Sequence, residues 1–219
     1  MINGNYMSWY LENEIDPGDS VGVDEVGRGP LAGPVVAAAV WISENLILEL
    51  QKNFISLPVR DSKKMTRNQR QKIVAWTKKQ SSDSIRYAIA SATVEEIDEL
   101  NILNAALLAM ERALHDLEIH ERKIILVDGN AAPQIPDTSV KTIIRGDAKV
   151  LSIALASVMA KEHRDDYMRE LSQKYPYYSW DKNVGYGTAV HLEAIRRYGI
   201  TPHHRKSFAP IKLRSEIVA

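Results

Sequence analysis

The sequence contains no cysteine, which excludes disulfides, thiolate metal centres and a cysteine nucleophile, and fits a reducing compartment such as the cytoplasm. No run of about 18 consecutive apolar residues occurs. The first twenty residues, MINGNYMSWYLENEIDPGDS, have neither the basic start nor the apolar stretch of a secretory signal. Membrane insertion is therefore not expected. An excess of one charge is missing as well: 28 basic residues stand against 28 acidic ones, which argues against a general polyanion binder. Repeats, low-complexity tracts and flexible linkers are also lacking.

The even balance hides an asymmetry. Residues 1–140 carry 14 Lys/Arg against 20 Asp/Glu, whereas residues 141–219 carry 14 against 8, so one part of the chain can offer a basic face beside an acidic one. With 219 residues, 45% of them hydrophobic and 26% charged, the composition is that of an ordinary folded protein, and one domain with a sizeable core is the starting expectation.

Hydrophobic periodicity and turn residues outline the elements. Residues 21–26 and 34–42 read as apolar, β-branched strands, joined hairpin-fashion by the turn chemistry of GRGPLAGP. Thr66 followed by Gln69 is a capping-box pattern that opens a helix. Residues 85–92 read as a strand. Thr93 with Glu96 then predicts one long amphipathic helix to about Leu117, with Ile97, Leu100, Leu103, Leu107, Met110 and Leu114 on its apolar face. Residues 123–130 and 140–148 form two further strands, each ending in an acid beside a glycine: Asp128-Gly129 and Gly146-Asp147. A helical stretch runs from about Ala148 to Tyr175 and is stopped by Pro176; an aromatic loop and a last helix ended by Gly199 follow. The basic tail is expected to wrap the body. Strands in pairs and strands followed by helices predict an α/β fold, a mixed sheet flanked by helices.

Four acids stand out. A carboxylate in an apolar strand is costly to bury unless it is paired, hydrogen-bonded or bound to a metal, and Asp24, Glu25, Asp128 and Asp147 each lie in or at the end of such a segment. Any one of them could simply cap a turn in solvent. If the strand ends share one edge of the sheet, the four instead form an all-oxygen donor set, which favours Mg²⁺ or Mn²⁺ and suits phosphoryl chemistry beside a basic surface. Successive strand residues point to opposite faces, so Asp24 and Glu25 can share a site only if the strand bends or ends there. The glycines at 27 and 29 are expected to supply that break and to expose backbone N–H groups to a nucleic-acid backbone. Asp165 competes for the fourth ligand position, but a straight helix would place it about 27 Å from Asp147. Asp147 is preferred, and Asp165 is given a structural or outer-shell role, paired with Arg164 or Lys161. His203-His204 reads as a surface pair, because adjacent histidines diverge.

In combination and order, the segments GVDEVGRGPLAGPVV, DSKK at 61–64, EIDELNIL, VDGN at 127–130, RGDAKVLSIALASVMAKEHRD, GYGTAVHLEAI and HHRKSFAPIK resemble bacterial ribonuclease HII from about residue 20 to 212. The resemblance implies a ribonuclease H-like core over about 20–175 with a C-terminal helical extension over about 176–219. It implies hydrolysis of the RNA strand of RNA–DNA hybrids, and nicking on the 5′ side of single ribonucleotides in duplex DNA, giving 3′-hydroxyl and 5′-phosphate ends. Asp24, Glu25, Asp128 and Asp147 become the catalytic acids holding one or two Mn²⁺ or Mg²⁺ ions. Gly27, Arg28 and Gly29 would read the 2′-hydroxyl and adjoining phosphate, and Tyr186 would stack on the next deoxyribose, where no 2′-hydroxyl protrudes. Ser62, Lys63 and Lys64 match a basic element near the substrate backbone, and His204, Arg205 and Ser207 take outer-shell places. AKEHRD stands where the family has a Val-Thr pair before Arg-Asp, and DSKKM and GYGT also depart from its usual pattern, none of this at the proposed ligands. The segment before residue 20 is too short for the extra domain of ribonuclease HIII. No obligate protein partner and no membrane are expected, and SEIVA carries no aromatic clamp-binding motif, so the expectation is a monomer. A junction-resolvase-type nuclease and a catalytically silent nucleic-acid-binding protein are the alternatives.

Overall fold

The computed structural model describes residues 19–52, 62, 65–118, 123–209 and 211–212. Lys63 and Lys64 lie outside them.

Strand β1 (Ser20–Val26) pairs antiparallel with β2 (Val35–Ile42), and β2 pairs antiparallel with β3 (Ile85–Ala92). On its other side β1 runs parallel to β4 (Ile124–Asp128), which runs parallel to β5 (Val140–Ile143), giving the order β3-β2-β1-β4-β5. The expected hairpin and mixed sheet are present. Helices α1 (Glu44–Lys52) and α2 (Arg67–Lys79) pack on one face with the long α5 (Leu151–Lys174), while α3 (Val94–Leu100) precedes α4 (Ile102–Asp116), which covers the other. Among the described residues no helix is long and apolar enough to cross a membrane.

Strand β1 is buried on both faces, and its alternation sorts neighbours. Val21 and Val23 pack with Ala105, Ala109 and Met110 on the α4 side. Gly22 lies so close to the backbone of Ser152 and Ile153 that a Cβ would overlap it, so this glycine sets how near α5 approaches the sheet.

Both capping boxes form: Thr66 with Gln69, and Thr93 with Glu96. The single long helix expected from Thr93 to Leu117 is instead two. Asn101 breaks it at φ 70° and caps the second, its Oδ1 accepting from the N–H groups of Leu103 and Asn104. The apolar periodicity crosses the break unaltered, and the two hydrogen bonds of the Asn101 cap favour the break over a continuous helix.

Helix α5 begins at Leu151, three residues later than predicted. A 3₁₀ turn (Gly146–Ala148) and an extended Val150 come first, so Asp147 lies in that turn beyond the end of β5 and not at a strand end. After α5 a 3₁₀ turn (Pro176–Tyr178), α6 (Trp180–Asn183) and α7 (Ala189–Tyr198) build the extension, α7 ending at Gly199 as predicted. Helix α1 was not foreseen; Ser43 opens it by accepting from the Leu46 N–H through Oγ.

Candidate active site

Asp24 and Asp128 sit level with each other on neighbouring parallel strands, one residue beyond the Val23–Val127 register. That places both at the C-terminal edge of the sheet, on the face that α5 covers. Asp24 is 6% exposed. Its Oδ1 accepts from the Glu25 N–H at 2.7 Å, and Ser157 of α5 also hydrogen-bonds its carboxylate. Burial first, then the charges of Glu25 and Asp128, hold the Asp24 carboxyl well above the usual carboxylate range. Glu25 is also raised by burial, against the favourable influence of Arg28, whose Nη1 lies 3.4 Å from its Oε1.

The expected bend between the two acids does not occur. The β1–β2 ladder continues through Asp24–Ala38, Glu25–Ala37 and Val26–Val36, so the two side chains leave opposite faces of a regular strand, and the chain turns only at Gly27. They share an electrostatic neighbourhood because both stand near the strand end, where Asp128 acts on each.

Asp128 Oδ1 accepts from the Gly146 N–H at 2.6 Å. This bond carries the 3₁₀ turn, and with it the half-buried Asp147, to the end of β4. Among the described residues no three histidine or carboxylate side chains stand close enough together to grip an ion, so the fourfold convergence drawn from the sequence is not assembled. The carboxylates repel, and Asp24 and Asp128 each spend an oxygen on a backbone N–H. The donor chemistry still fits a hard divalent cation: the set is all oxygen, and the charge crowding that raises Asp24 is what a cation relieves.

Ser62 is buried, its Oγ 2.8 Å from Ser157 Oγ. The serine thus connects to Asp24 through Ser157 and does not face solvent. Asp165 is buried between Lys161 Nζ (2.6 Å) and Arg70 Nη2 (3.1 Å), while Arg70 Nε also donates to Glu162 Oε2 at 3.0 Å. The Lys161 pairing was expected; Arg164 takes no part in it. These bonds fasten α2 to α5.

Arg164 instead reaches the turn that follows β1. Its Nε donates to Pro34 O (2.9 Å), Nη1 to Val184 O (2.9 Å) and Nη2 to Ala32 O (3.0 Å). Gly27, at φ 99°, lies against this side chain with no room for a Cβ, which is a steric reason for glycine there. Arg205 is fully buried and binds the same turn. Burial lowers the Arg164 guanidinium to about 10, and burial together with the Arg164 charge lowers Arg205 to about 9. Arg28 is exposed. Gly29 faces the ring of the exposed Tyr186, where an added Cβ would lie 3.3 Å from it.

The expected surface pair is split: His203 stays partly exposed, whereas its neighbour is buried. His204 is 0% exposed and sits among Tyr178, Trp180 and His191. Its Nδ1 accepts from the Thr201 N–H (2.9 Å), so Nε2 carries the proton and faces His191 Nε2 at 3.1 Å. That nitrogen also accepts from Trp180 Nε1–H (3.1 Å), which leaves His191 Nδ1–H to donate to Tyr186 O at 2.9 Å. Both rings are neutral, and burial holds His204 down at about 4. Divergence of adjacent side chains is real; here one of them diverges inward. Ser207 donates through Oγ to Asp98 Oδ1 at 2.6 Å, and the backbone N–H groups of Lys206 and Ser207 bind the same carboxylate. His204, Arg205 and Ser207 therefore fasten the C-terminal segment to the body.

Sequence reasoning missed Ser157, His191 and the reach of Arg164. The available signal was the stripe of Ser157, Lys161, Arg164 and Met168 at helical spacing, a line of mixed polarity in a helix whose first half is otherwise apolar.

Comparison with known proteins completes the picture. A model of the family described as Ribonuclease HII matches residues 21–211. Ribonuclease HII of Staphylococcus saprophyticus is 50% identical over 191 residues, covering 87% of this chain and 69% of the relative. Ribonuclease HII of Wolbachia pipientis wMel is 49% identical over 207 residues, covering 94% and 97%. Among solved structures, the ribonuclease H2 of Pyrococcus horikoshii OT3 aligns with a TM-score of 0.71 at 28% identity, covering 90% of this chain and 97% of that one.

Proposed function

The chain belongs to the ribonuclease HII family, and from that premise we propose how its residues divide the work of an endoribonuclease that hydrolyses the RNA strand of RNA–DNA hybrids. The reaction depends on a divalent metal ion. Asp24, Glu25, Asp128 and Asp147 are the residues that would hold it, as one or two Mg²⁺ or Mn²⁺ ions. When bound, such ions neutralise phosphate oxygens, lower the pKa of water and stabilise the leaving oxygen.

The protein's own residues supply position and selection. The Ser157 hydroxyl and the Glu25 N–H orient the Asp24 carboxylate, and Gly146 N–H orients that of Asp128. The turn at Gly27, Arg28 and Gly29, buried at Gly27 and exposed at Arg28 and Gly29, reads the 2′-hydroxyl and its phosphate. Tyr186, whose ring faces Gly29, stacks on the sugar that follows. Cleavage at a single embedded ribonucleotide, on its 5′ side and leaving a 3′-hydroxyl, follows from this division. Residues 176–212 belong to the same catalytic unit, since residues 203–205 complete the turn, and the enzyme acts as a monomer in the cytoplasm.

The observation that carries the reading is the crowding of buried Asp24 with Glu25 and Asp128, one turn of chain away from the exposed Arg28 and Gly29. Its test is a labelled DNA duplex containing one ribonucleotide, incubated with Mg²⁺, with Mn²⁺ and with chelator. The expected result is a metal-dependent nick 5′ of the ribonucleotide and no cut in the all-DNA duplex. Cleavage confined to long hybrids would remove the roles given to Arg28 and Tyr186.

A further inference from the structure

Resting on the reading of residues 27–29 as the ribose-sensing turn, we propose that Arg205 is a positioning residue that aims the N–H groups of Arg28 and Gly29 at the substrate.

The guanidinium of Arg205 donates to both arms of the turn. Nη2 reaches Gly27 O at 2.6 Å and Nη1 reaches Arg28 O at 3.1 Å; on the returning arm Nε and Nη2 reach Gly33 O at 2.9 and 2.8 Å, and Nη2 reaches Pro34 O at 3.2 Å. The described residues contain no cis peptide, and in a planar trans peptide the C=O and the following N–H point in opposite directions. Holding Gly27 O and Arg28 O inward therefore turns the N–H groups of Arg28 and Gly29 outward. Both residues are exposed, and Gly29 adjoins the Tyr186 ring. Two successive N–H groups directed away from the protein make a small concave donor site suited to an oxygen ligand.

The surroundings keep Arg205 from moving. Its own N–H donates to Leu31 O at 2.9 Å, the Gly33 N–H donates to His203 O at 2.9 Å, and its guanidinium lies over the Phe208 ring, 5.0 Å from the centroid. Arg164 holds Ala32 O and Pro34 O from the other side. Among the described residues neither arginine forms an ion pair. Two buried cations whose hydrogen bonds go to main-chain carbonyls are costly to desolvate. A stability role alone would be met by apolar side chains of similar volume, whereas the planar fork of donors is needed to span several carbonyls at once.

The test follows backbone amide resonances of Arg28 and Gly29 in the full-length, ¹⁵N-labelled protein with chelator present. A duplex containing one ribonucleotide is compared with the same duplex made only of DNA. In the wild type the two duplexes are expected to shift these amides differently. Arg205→Lys keeps the charge but not the fork: the ribose-dependent difference should vanish. Its single-turnover cleavage at saturating duplex should fall at least tenfold, with KM within threefold. Should this variant melt below the assay temperature, Phe208→Leu is read in its place, with the difference reduced and cleavage at least threefold slower. A wild type without a ribose-dependent difference would refute the assignment of the turn itself. A wild type that shows it and a folded variant that keeps it, whatever its cleavage rate, would overturn the role of Arg205 alone.

Discussion

Asp128 and Gly146 are joined by a 2.6 Å hydrogen bond from the glycine N–H to Oδ1, and that bond couples the end of β4 to the turn bearing Asp147. A Cβ on Gly146 would press on both Ile153 and this oxygen, so the two segments are fitted to each other and not merely adjacent.

Asp128→Asn keeps an oxygen for the Gly146 N–H but removes the charge. Cleavage should fall by at least about 10²-fold, the scale on which losing one electrostatic stabiliser acts, while duplex binding, measured by fluorescence anisotropy in chelator, stays near the wild-type value. Retained cleavage would remove Asp128 from the ligand set.

Ser157 links Asp24 to Ser62. Ser157→Ala takes one hydrogen bond from a buried carboxylate and leaves the Ser62 hydroxyl without this partner. The expected cost is about 1–2 kcal/mol in denaturant unfolding, together with a several-fold slower cleavage step. Unchanged values of both would show that Asp24 is oriented without the serine.

Arg70 is bound by Glu162 and Asp165 in the interior, and also donates to Met65 O at 3.0 Å. Arg70→Met leaves two buried carboxylates short of a partner. Breaking such a pair costs about 3 kcal/mol or more, which in a chain of this size lowers Tm by roughly 6–12 °C. Calorimetry checks it, and a shift below about 2 °C would mean that Lys161 on Asp165 and Arg169, whose Nη2 lies 3.4 Å from Glu162 Oε1, compensate.

The His204 site makes stability pH-dependent in one direction. Its folded pKa of about 4 lies below the ordinary value near 6.5, so between these limits the unfolded chain binds the extra proton. Stability from this site is fully present above about pH 6.5 and is lost as pH falls toward 4, by roughly 3 kcal/mol at most. His204→Asn should flatten that part of the unfolding profile. An equally steep profile in the variant would assign the effect to other groups.

The elements that were legible in the sequence are those whose signals are local. Thr66 and Thr93 each carry the residue that completes the capping box three positions on, and β4 ends on Asp128 where an apolar run meets Asp-Gly. What escaped depends on distant partners or on backbone angles. Asn101 interrupts an apolar stripe that shows no gap, and β1 stays regular past Asp24 because its alanine-lined ladder with β2 outweighs the pull of the glycines that follow. His204 reads as exposed until Tyr178, Trp180 and His191 are folded around it. Arg164 reads as a partner for the adjacent Asp165 and Arg205 as an outer-shell residue, because the carbonyls they bind lie up to 178 residues away in the chain.

That separation has a bearing on biosynthesis. Residues 27–34 leave the ribosome well before residue 205, whose guanidinium organises them from up to 178 residues further along the chain. Contacts of such long sequence separation form late, and a nascent chain folds from its N-terminal side. The sheet and its acids can therefore assemble on a growing polypeptide before the turn beside them has its final shape. A nascent chain that has not yet reached residue 205 would have the makings of a hydrolytic centre without the means to choose a substrate, and selectivity would be switched on only once that residue is in place.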